Sequence, residues 1–420
     1  MAKLLEHQGK TQLRQSGIPI PVGRIAMTPE EAAVIAQELG GAAVVKAQVM
    51  AGGRGKSGAI VMAETPSQVS KAAESILGSL VKGNPVRAVL VEEKLDIDQE
   101  FYASYTVNSA RHACCPMLMF SIDGGVDIES VPEERLFRML VSPTRGPDSD
   151  QLHKLVSDAG VPSPQCGAVR DCLLKLFRAY QANDCTTLEL NPLVLTHSGL
   201  LVAADCKMEI DNNSVFRHPE MGITVARDFG HEPTELDLVG WGIEEADQRG
   251  SGFLMSMGFD EESPGYIGYH PIGGGSAMMG MDALSAVGLK VANYADTSGN
   301  PVASKVYRIA KSILCQPNIE GYLLGGFMMA NQEQWHHAHA IVKAVREMIP
   351  RRPGLPCILL LCGNKEEESL EILREGLRDL PGGNKIEIYG REYATDTVFI
   401  AQRMLAAVKD YQRQRQRQQG

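Results

Sequence analysis

Two hydrophobic periods alternate along this chain: every second residue, as on a strand, and every third or fourth, as on a helix. Within residues 1–110 the two patterns take turns. Thr28-Pro-Glu-Glu opens a helix, with a hydroxyl cap, proline at the first helical position and an acidic first turn. Val44–Lys46 and Ala88–Glu92 read as strands. Residues 133–142 and 166–182 read as helices, and a hairpin follows them. From about Gly222 to Gly265 the pattern weakens while Gly, Asp and Glu become frequent, which predicts a linker with an insertion at 223–265. From Tyr266 onward short strands alternate with helices. The strands are Tyr266–His270, Val291–Tyr294, Gly321–Leu324, Cys357–Leu361 and Ile386–Ile388, and the helices lie near 277–286, 302–314, 333–348, 366–377 and 395–411. That rhythm predicts an open parallel sheet with helices on both faces. The Arg/Gln tail Gln412–Gly420 is low in complexity and is expected to be disordered.

The hairpin, from Thr187 to Lys207, carries chemistry. Its two apolar runs flank a polar, Gly-containing turn near Thr196–Gly199. Polar groups sit two apart on each run: Glu189 and Asn191, then Asp205 and Lys207. Side chains two apart on a strand share a face. An odd loop length sets Asn191 opposite Asp205 and Glu189 near Lys207, whereas an even one splits them. The odd register also gathers Leu188, Leu190, Ala204 and Cys206 on one apolar face, so it is favoured. An amide oxygen beside a carboxylate is a hard-oxygen site, and Mg²⁺ takes few protein ligands, filling the rest with water and phosphate oxygens. An ordinary surface hairpin is the competing explanation of the spacing.

A second segment weighs against coincidence. Val44-Val-Lys46-Ala-Gln-Val-Met-Ala-Gly52-Gly53-Arg54-Gly55-Lys56-Ser-Gly58 runs from a buried type of strand into a glycine-rich basic loop. Glycines let backbone N–H groups close on phosphate oxygens. Lys46 ends the apolar run, where an ammonium reaches polyphosphate. The spacing is neither that of a P-loop nor that of a dinucleotide-binding turn.

These residues resemble the β subunit of succinyl-CoA synthetase, an ATP-grasp acyl-CoA ligase. The likeness starts at Leu5-Glu-His-Gln-Gly-Lys and runs to about Asp205. Its strongest segments are Lys46–Lys56, Gly124-Gly-Val-Asp-Ile-Glu129 and Leu188-Glu-Leu-Asn-Pro-Leu193. The resemblance implies an α/β protein: an N-terminal ATP-grasp fold over 1–222, then a flavodoxin-like parallel-sheet CoA-ligase domain over 266–411. It also implies ATP and CoA as substrates and Mg²⁺ as cofactor. The expected partner is a CoA-binding α subunit that carries the phosphorylated histidine and docks on the C-terminal domain. By resemblance Lys46, Gly53, Arg54 and Gly55 hold nucleotide phosphates, Glu92 meets the base and ribose, and Leu95 and Glu100 line the same pocket. Asn191 and Asp205 bind Mg²⁺, and Glu189 orients the partner's histidine. Pro21 matches the pattern of ATP-preferring members.

The second half departs from that family where it recognises the acid. The family's Asn-Gly-Ala-Gly-Leu run is here Ile272-Gly273-Gly274-Gly275-Ser276, so a side-chain amide gives way to Ile272. Gly273, Gly274, Gly275 and Ser276 still offer N–H donors to an anion. The later Phe-Gly-Gly-Ile-Val loop becomes Gly325-Gly-Phe-Met-Met329-Ala330-Asn331. The expected acid is therefore a small anion other than succinate, with sulfoacetate and malate as candidates. An ordinary succinate ligase subunit is the first alternative and a non-catalytic regulatory homologue the second.

Composition narrows the field. The 420 residues carry a formal charge of −10, which argues against nucleic acid as partner. No apolar run reaches the ~18 residues needed to span a membrane, and the first residues lack a signal-peptide core. Nine scattered cysteines suit a reducing cytoplasm. His336, His337 and His339 invite a metal, but a solvated helix face explains them better. His270, near the acid loop, either meets an anion or is packed.

Overall fold

The computed structural model describes residues 2–419 apart from 51–57, 110–113, 228–232, 258–264, 318, 329 and 384. Two compact units divide at Glu232/Pro233.

The described residues of the first unit contain two large sheets and a two-stranded ribbon, Leu80–Val81 with Asn84–Pro85. One has four antiparallel strands in the order Gly23–Ala26, Val89–Glu93, Ala43–Ala47, Ile60–Ala63. Two helices, Pro29–Glu38 and Pro66–Ile76, share its core. Each begins with the same device: the Thr28 or Thr65 hydroxyl accepts the third helical N–H, and proline follows at the first position. Ala32, Ile35, Ala36, Val69, Ala73 and Ile76 bury one stripe of each helix against Val45, Val89 and Val91.

The second sheet of this unit has seven strands. Along its main path they run Ala2–Lys3, Lys207–Ile210, Cys185–Thr196, Ile97–Asn108, Cys115–Ser121, Phe137–Leu140, and Leu201–Ala203 pairs with Cys185–Thr196. The long helix Ser163–Ala182 buries Leu173, Leu176 and Phe177 in the same core as Phe101, Tyr105 and Phe120. The helix expected over 133–142 is not formed. A short 3₁₀ turn, Glu133–Arg135, leads into the strand Phe137–Leu140, which pairs Phe137 with Phe120. Cross-strand pairing overrides a weak local periodicity there.

The second unit is a parallel sheet in the order Lys290–Val291, Tyr266–Pro271, Ile319–Gly325, Cys357–Leu360, Ile386–Tyr389. Numbered along the chain this is 2-1-3-4-5, the flavodoxin-like order, with helices Gly274–Ala286, Ala303–Cys315, Trp335–Met348, Glu366–Leu377 and Thr397–Gln419. The segment expected to be a linker is partly built into this unit. Helix Glu235–Glu245 opens with a capping box at Thr234, and strand Phe253–Ser256 pairs with Asn293–Asp296. The expectation of a disordered tail from Gln412 is also corrected, because the closing helix continues to Gln419. Gln and Arg are good helix formers, and Gln412 donates to Glu320 at 2.5 Å, which anchors the extra turns.

Candidate functional site

The hairpin adopts the register that the apolar alternation favours. Leu193 pairs with Ala203 and Glu189 with Lys207, so the same register sets Asn191 opposite Asp205. Leu188, Leu190 and Cys206 are buried, while Glu189, Asn191 and Asp205 stay half-buried on the other face. The turn closes through Gly199, whose φ is +80°. The Asn191–Pro192 peptide is cis. Asn191 Oδ1 accepts the Gly125 N–H at 2.8 Å and its Nδ2 donates to the Val126 carbonyl at 2.9 Å.

The Gly124-Gly125 pair acquires a physical reason from this geometry. A Cβ on Gly124 would lie 2.6 Å from the Phe101 backbone, and Gly125 sits at φ +72°. Only glycine brings this loop close enough to hold the Asn191 amide.

Glu189 completes the face. Burial pushes its carboxyl above the ordinary value; Lys207 pulls it down, and Asp205 and Glu209 push it up again. Glu189 and Asp205 thus share a face with the Asn191 amide, and the Lys207 ammonium lies 3.5 Å from Glu209 farther along the same strand. Among the described residues no group of three or more His, Cys, Asp or Glu side chains is placed to hold a metal ion. A two-oxygen set of Asn191 and Asp205 nonetheless suits Mg²⁺, which keeps most of its shell as water and phosphate.

Lys46 lies near the end of strand Ala43–Ala47, as its apolar run implies. Its ammonium is 3.0 Å from Glu6 Oε1, 3.0 Å from Glu92 Oε2, and donates to the Ala204 carbonyl at 2.6 Å. Burial pulls its pKa down, but Glu6, Glu92 and Asp205 together hold it above the ordinary lysine value. Glu92, expected at the base and ribose, sets its carboxylate against Lys46 and Lys10, where two buried ammoniums demand counterions. Leu95 is half-buried between strands Val89–Glu93 and Ile97–Asn108. Glu100 lines a cavity of about 410 Å³ with Ile97, Asp98, Asp123, Gly124 and Val126, next to the loop that holds Asn191. Gly53, Arg54 and Gly55 lie outside the described residues.

In the second unit a cavity of about 540 Å³ is lined by Ile272, Ser298, Gly299, Asn300, Asn331 and Gln332. These residues follow the carboxyl ends of Tyr266–Pro271, Asn293–Asp296 and Ile319–Gly325. The first and third of those strands are neighbours on either side of the point where strand order reverses, which is where open α/β sheets bind ligands. Two expected residues, Ile272 and Asn331, therefore meet. Ile272 is buried and its N–H donates to the Gly325 carbonyl, so it offers the cavity only an apolar wall. One of the expected N–H donors is engaged elsewhere, because the Gly273 N–H bonds Asp296 Oδ1 at 3.0 Å; the Ser276 hydroxyl, distinct from its N–H, donates to the Gly325 carbonyl at 2.6 Å. Gly274, Gly275 and Ser276 form the first turn of helix Gly274–Ala286, whose amides have no intrahelical carbonyl and suit an anion. Met329 is outside the described residues, and Ala330 pairs in register with Gly363.

Behind this cavity lies a polar network that local sequence did not reveal. His270 Nδ1 is 2.7 Å from the Tyr322 hydroxyl and its Nε2 is 3.0 Å from Thr297 Oγ1. His337 Nε2 lies 3.0 Å from both the Thr297 carbonyl and Thr297 Oγ1. Burial holds both imidazoles low, His270 at about 3 and His337 at about 4, so both are neutral. His270 is thus packed. His337 is buried, not on the solvated face expected of it, while His336 stacks on Trp335.

Similarity to known proteins agrees with these two halves. Residues 3–195 match the family model of an ATP-grasp domain, and residues 243–404 match that of ATP citrate lyase citrate-binding. The GDP-forming succinate–CoA ligase subunit beta of Thermus thermophilus is 34% identical over 376 residues, 88% of this chain and 93% of that one. The ADP-forming subunit beta of Rubrobacter xylanophilus is 32% identical over 380 residues, 89% of this chain and 92% of that one. In fold, the chain resembles ATP citrate lyase from Methanothrix soehngenii, solved with citrate and coenzyme A. The TM-score is 0.76 at 19% identity, over 95% of this chain and 99% of that one. The chain belongs to the succinate–CoA ligase β-subunit family, acid–thiol ligases whose N-terminal half is an ATP-grasp domain.

Proposed function

We propose that this chain is the β subunit of an ADP-forming ligase that joins a small polyanionic carboxylic acid other than succinate to CoA. The observation that carries the nucleotide half is the facing pair Asn191 and Asp205, with Lys46 held at the adjoining Ala204 carbonyl. In this reading the γ-phosphoryl group of ATP passes to a histidine nitrogen of a CoA-binding α subunit, releasing ADP. The phosphoryl group then moves to the acid's carboxylate, and the CoA thiol displaces phosphate to give the thioester. Phosphoryl transfer needs positioning and charge stabilisation more than a protein nucleophile. Lys46 and the basic loop through Gly53, Arg54 and Gly55 supply positive charge to the phosphates, and Glu189 orients the partner's histidine. Mg²⁺, when held by Asn191 and Asp205, neutralises phosphate charge.

The acid half rests on the cavity at the switch point. Its neutral polar lining of Ser298, Asn300, Asn331 and Gln332, beside the helix amides of Gly274 to Ser276, suits several anionic or hydroxyl groups. Its volume falls within the ~300–1,000 Å³ of small-molecule sites. Loss of the family's side-chain amide at Ile272 weakens recognition of the old ligand more than loss of a methylene would. The match of residues 243–404 to a citrate-binding model supports a hydroxylated di- or tricarboxylate, of the malate or citrate type, over a sulfonate such as sulfoacetate. Succinate is the second reading, favoured by the names of the curated relatives.

The nucleotide half is tested with Asp205→Ala. That variant should lose at least ~100-fold in ATP-dependent phosphorylation of the α partner. Near-normal phosphorylation would remove Asp205 from the site.

A further inference from the structure

Among the described residues, Glu6, Lys10, Lys46 and Glu92 share one buried cluster of charge. They are 3%, 1%, 8% and 2% exposed. Lys10 Nζ lies 2.7 Å from Glu6 Oε1, and 2.7 and 2.6 Å from the two oxygens of Glu92. Lys46 Nζ touches the same two carboxylates at 3.0 Å each. Both ammoniums also donate to one acceptor, the Ala204 carbonyl, at 2.8 and 2.6 Å. Two lysines and two glutamates balance, which is the condition under which buried ions are tolerated.

Lys46 already bonds Glu6, Glu92 and the Ala204 carbonyl, and an ammonium has three hydrogens. Binding a phosphate oxygen therefore requires it to release one of these three acceptors, two of which are carboxylates. Releasing a carboxylate is costly if it leaves a buried anion unpaired. Lys10 removes that cost, because it contacts Glu6 and both oxygens of Glu92.

We infer that Lys10 is a positioning residue of the nucleotide site: it holds the two carboxylates so that Lys46 is free to move onto phosphate, and it fixes the Ala204 carbonyl beside Asp205. This rests on the reading of Lys46 as a phosphate ligand. Without Lys10, Lys46 becomes the shared counterion of both carboxylates within this cluster, is held there more tightly, and nucleotide affinity falls. Removing one carboxylate along with Lys10 restores the balance.

The test is calorimetric titration of the full-length chain with Mg·ATP and Mg·ADP, with a thermal melt of each variant. Lys46→Met checks the underlying reading: if it binds nucleotide like the parent, that reading fails whatever Lys10 does. Given loss of binding in Lys46→Met, Lys10→Met should weaken nucleotide binding about tenfold or more, and Lys10→Met/Glu6→Gln should return to within about threefold of the parent. The rescue separates charge balance from packing, since a purely structural role predicts that the double variant is no better than the single one. Parent-like affinity in Lys10→Met overturns the proposal. So does a folded double variant with affinity as poor as the single one. If Lys10→Met does not fold, the double variant decides alone by the same threefold criterion.

Discussion

His270 and His337 are kept neutral by burial, at about 3 and about 4 against ~6.5 in an unfolded chain. A histidine whose folded pKa is depressed favours the unfolded state once that state takes up a proton the native fold refuses. Their contribution is therefore intact above about pH 6.5 and is lost as pH falls from there toward 4, by up to ~1.4 kcal/mol per pH unit for each. Melts of the parent and of His337→Gln between pH 7.5 and 5 should show a shallower acid decline in the variant. Equal slopes would mean that His337 does not titrate on unfolding. A second residue-scale expectation concerns Gly280, where an added Cβ would collide with the Tyr269 hydroxyl, itself bonded to the Ser276 carbonyl at 2.8 Å. Gly280→Ala should cost about 1–3 kcal/mol, read as a lower melting point. Neither residue announced its role in the sequence. The helix period around His337 carried no mark of Thr297, forty positions away, and a glycine inside an apolar helix looks like a mere weak spot. Glu6 and Lys10 did stand one turn apart, a visible pair, but the two further partners that bury them come from distant strands.

At the scale of elements, periodicity carried most where one face is buried. The hairpin register was legible because a one-residue slip would turn Leu188 and Leu190 outward. The same burial gives a stability expectation: Leu190→Ala should cost about 2–5 kcal/mol and lower nucleotide binding with it, since Asn191 is its neighbour. An unchanged denaturation midpoint would show that the strand is not anchored there. Strand Phe137–Leu140 was misread as helix because its four residues fix no period, and its identity comes from the partner strand Cys115–Ser121. The tail was misread for the opposite reason: its composition said low complexity, while helix propensity and the Gln412 bond to Glu320 said helix.

For the whole molecule, the βα rhythm from Tyr266 onward was enough to give the parallel sheet, and the helix near 235–245 escaped because its surroundings are rich in Gly, Asp and Glu. Family membership at about one-third identity fixes the ligase class, and what it leaves to the molecule itself is the acid. A CoA-binding α chain should copurify with this subunit; a stable, fully active homo-oligomer without one would contradict the proposed division of labour. The most direct test of the acid assignment is nucleoside-diphosphate release by the reconstituted complex, with Mg·ATP and CoA, across succinate, malate, citrate and sulfoacetate. A hydroxylated polycarboxylate should give the highest kcat/KM, with succinate at least about tenfold below it. Succinate standing far above every other acid would contradict that assignment.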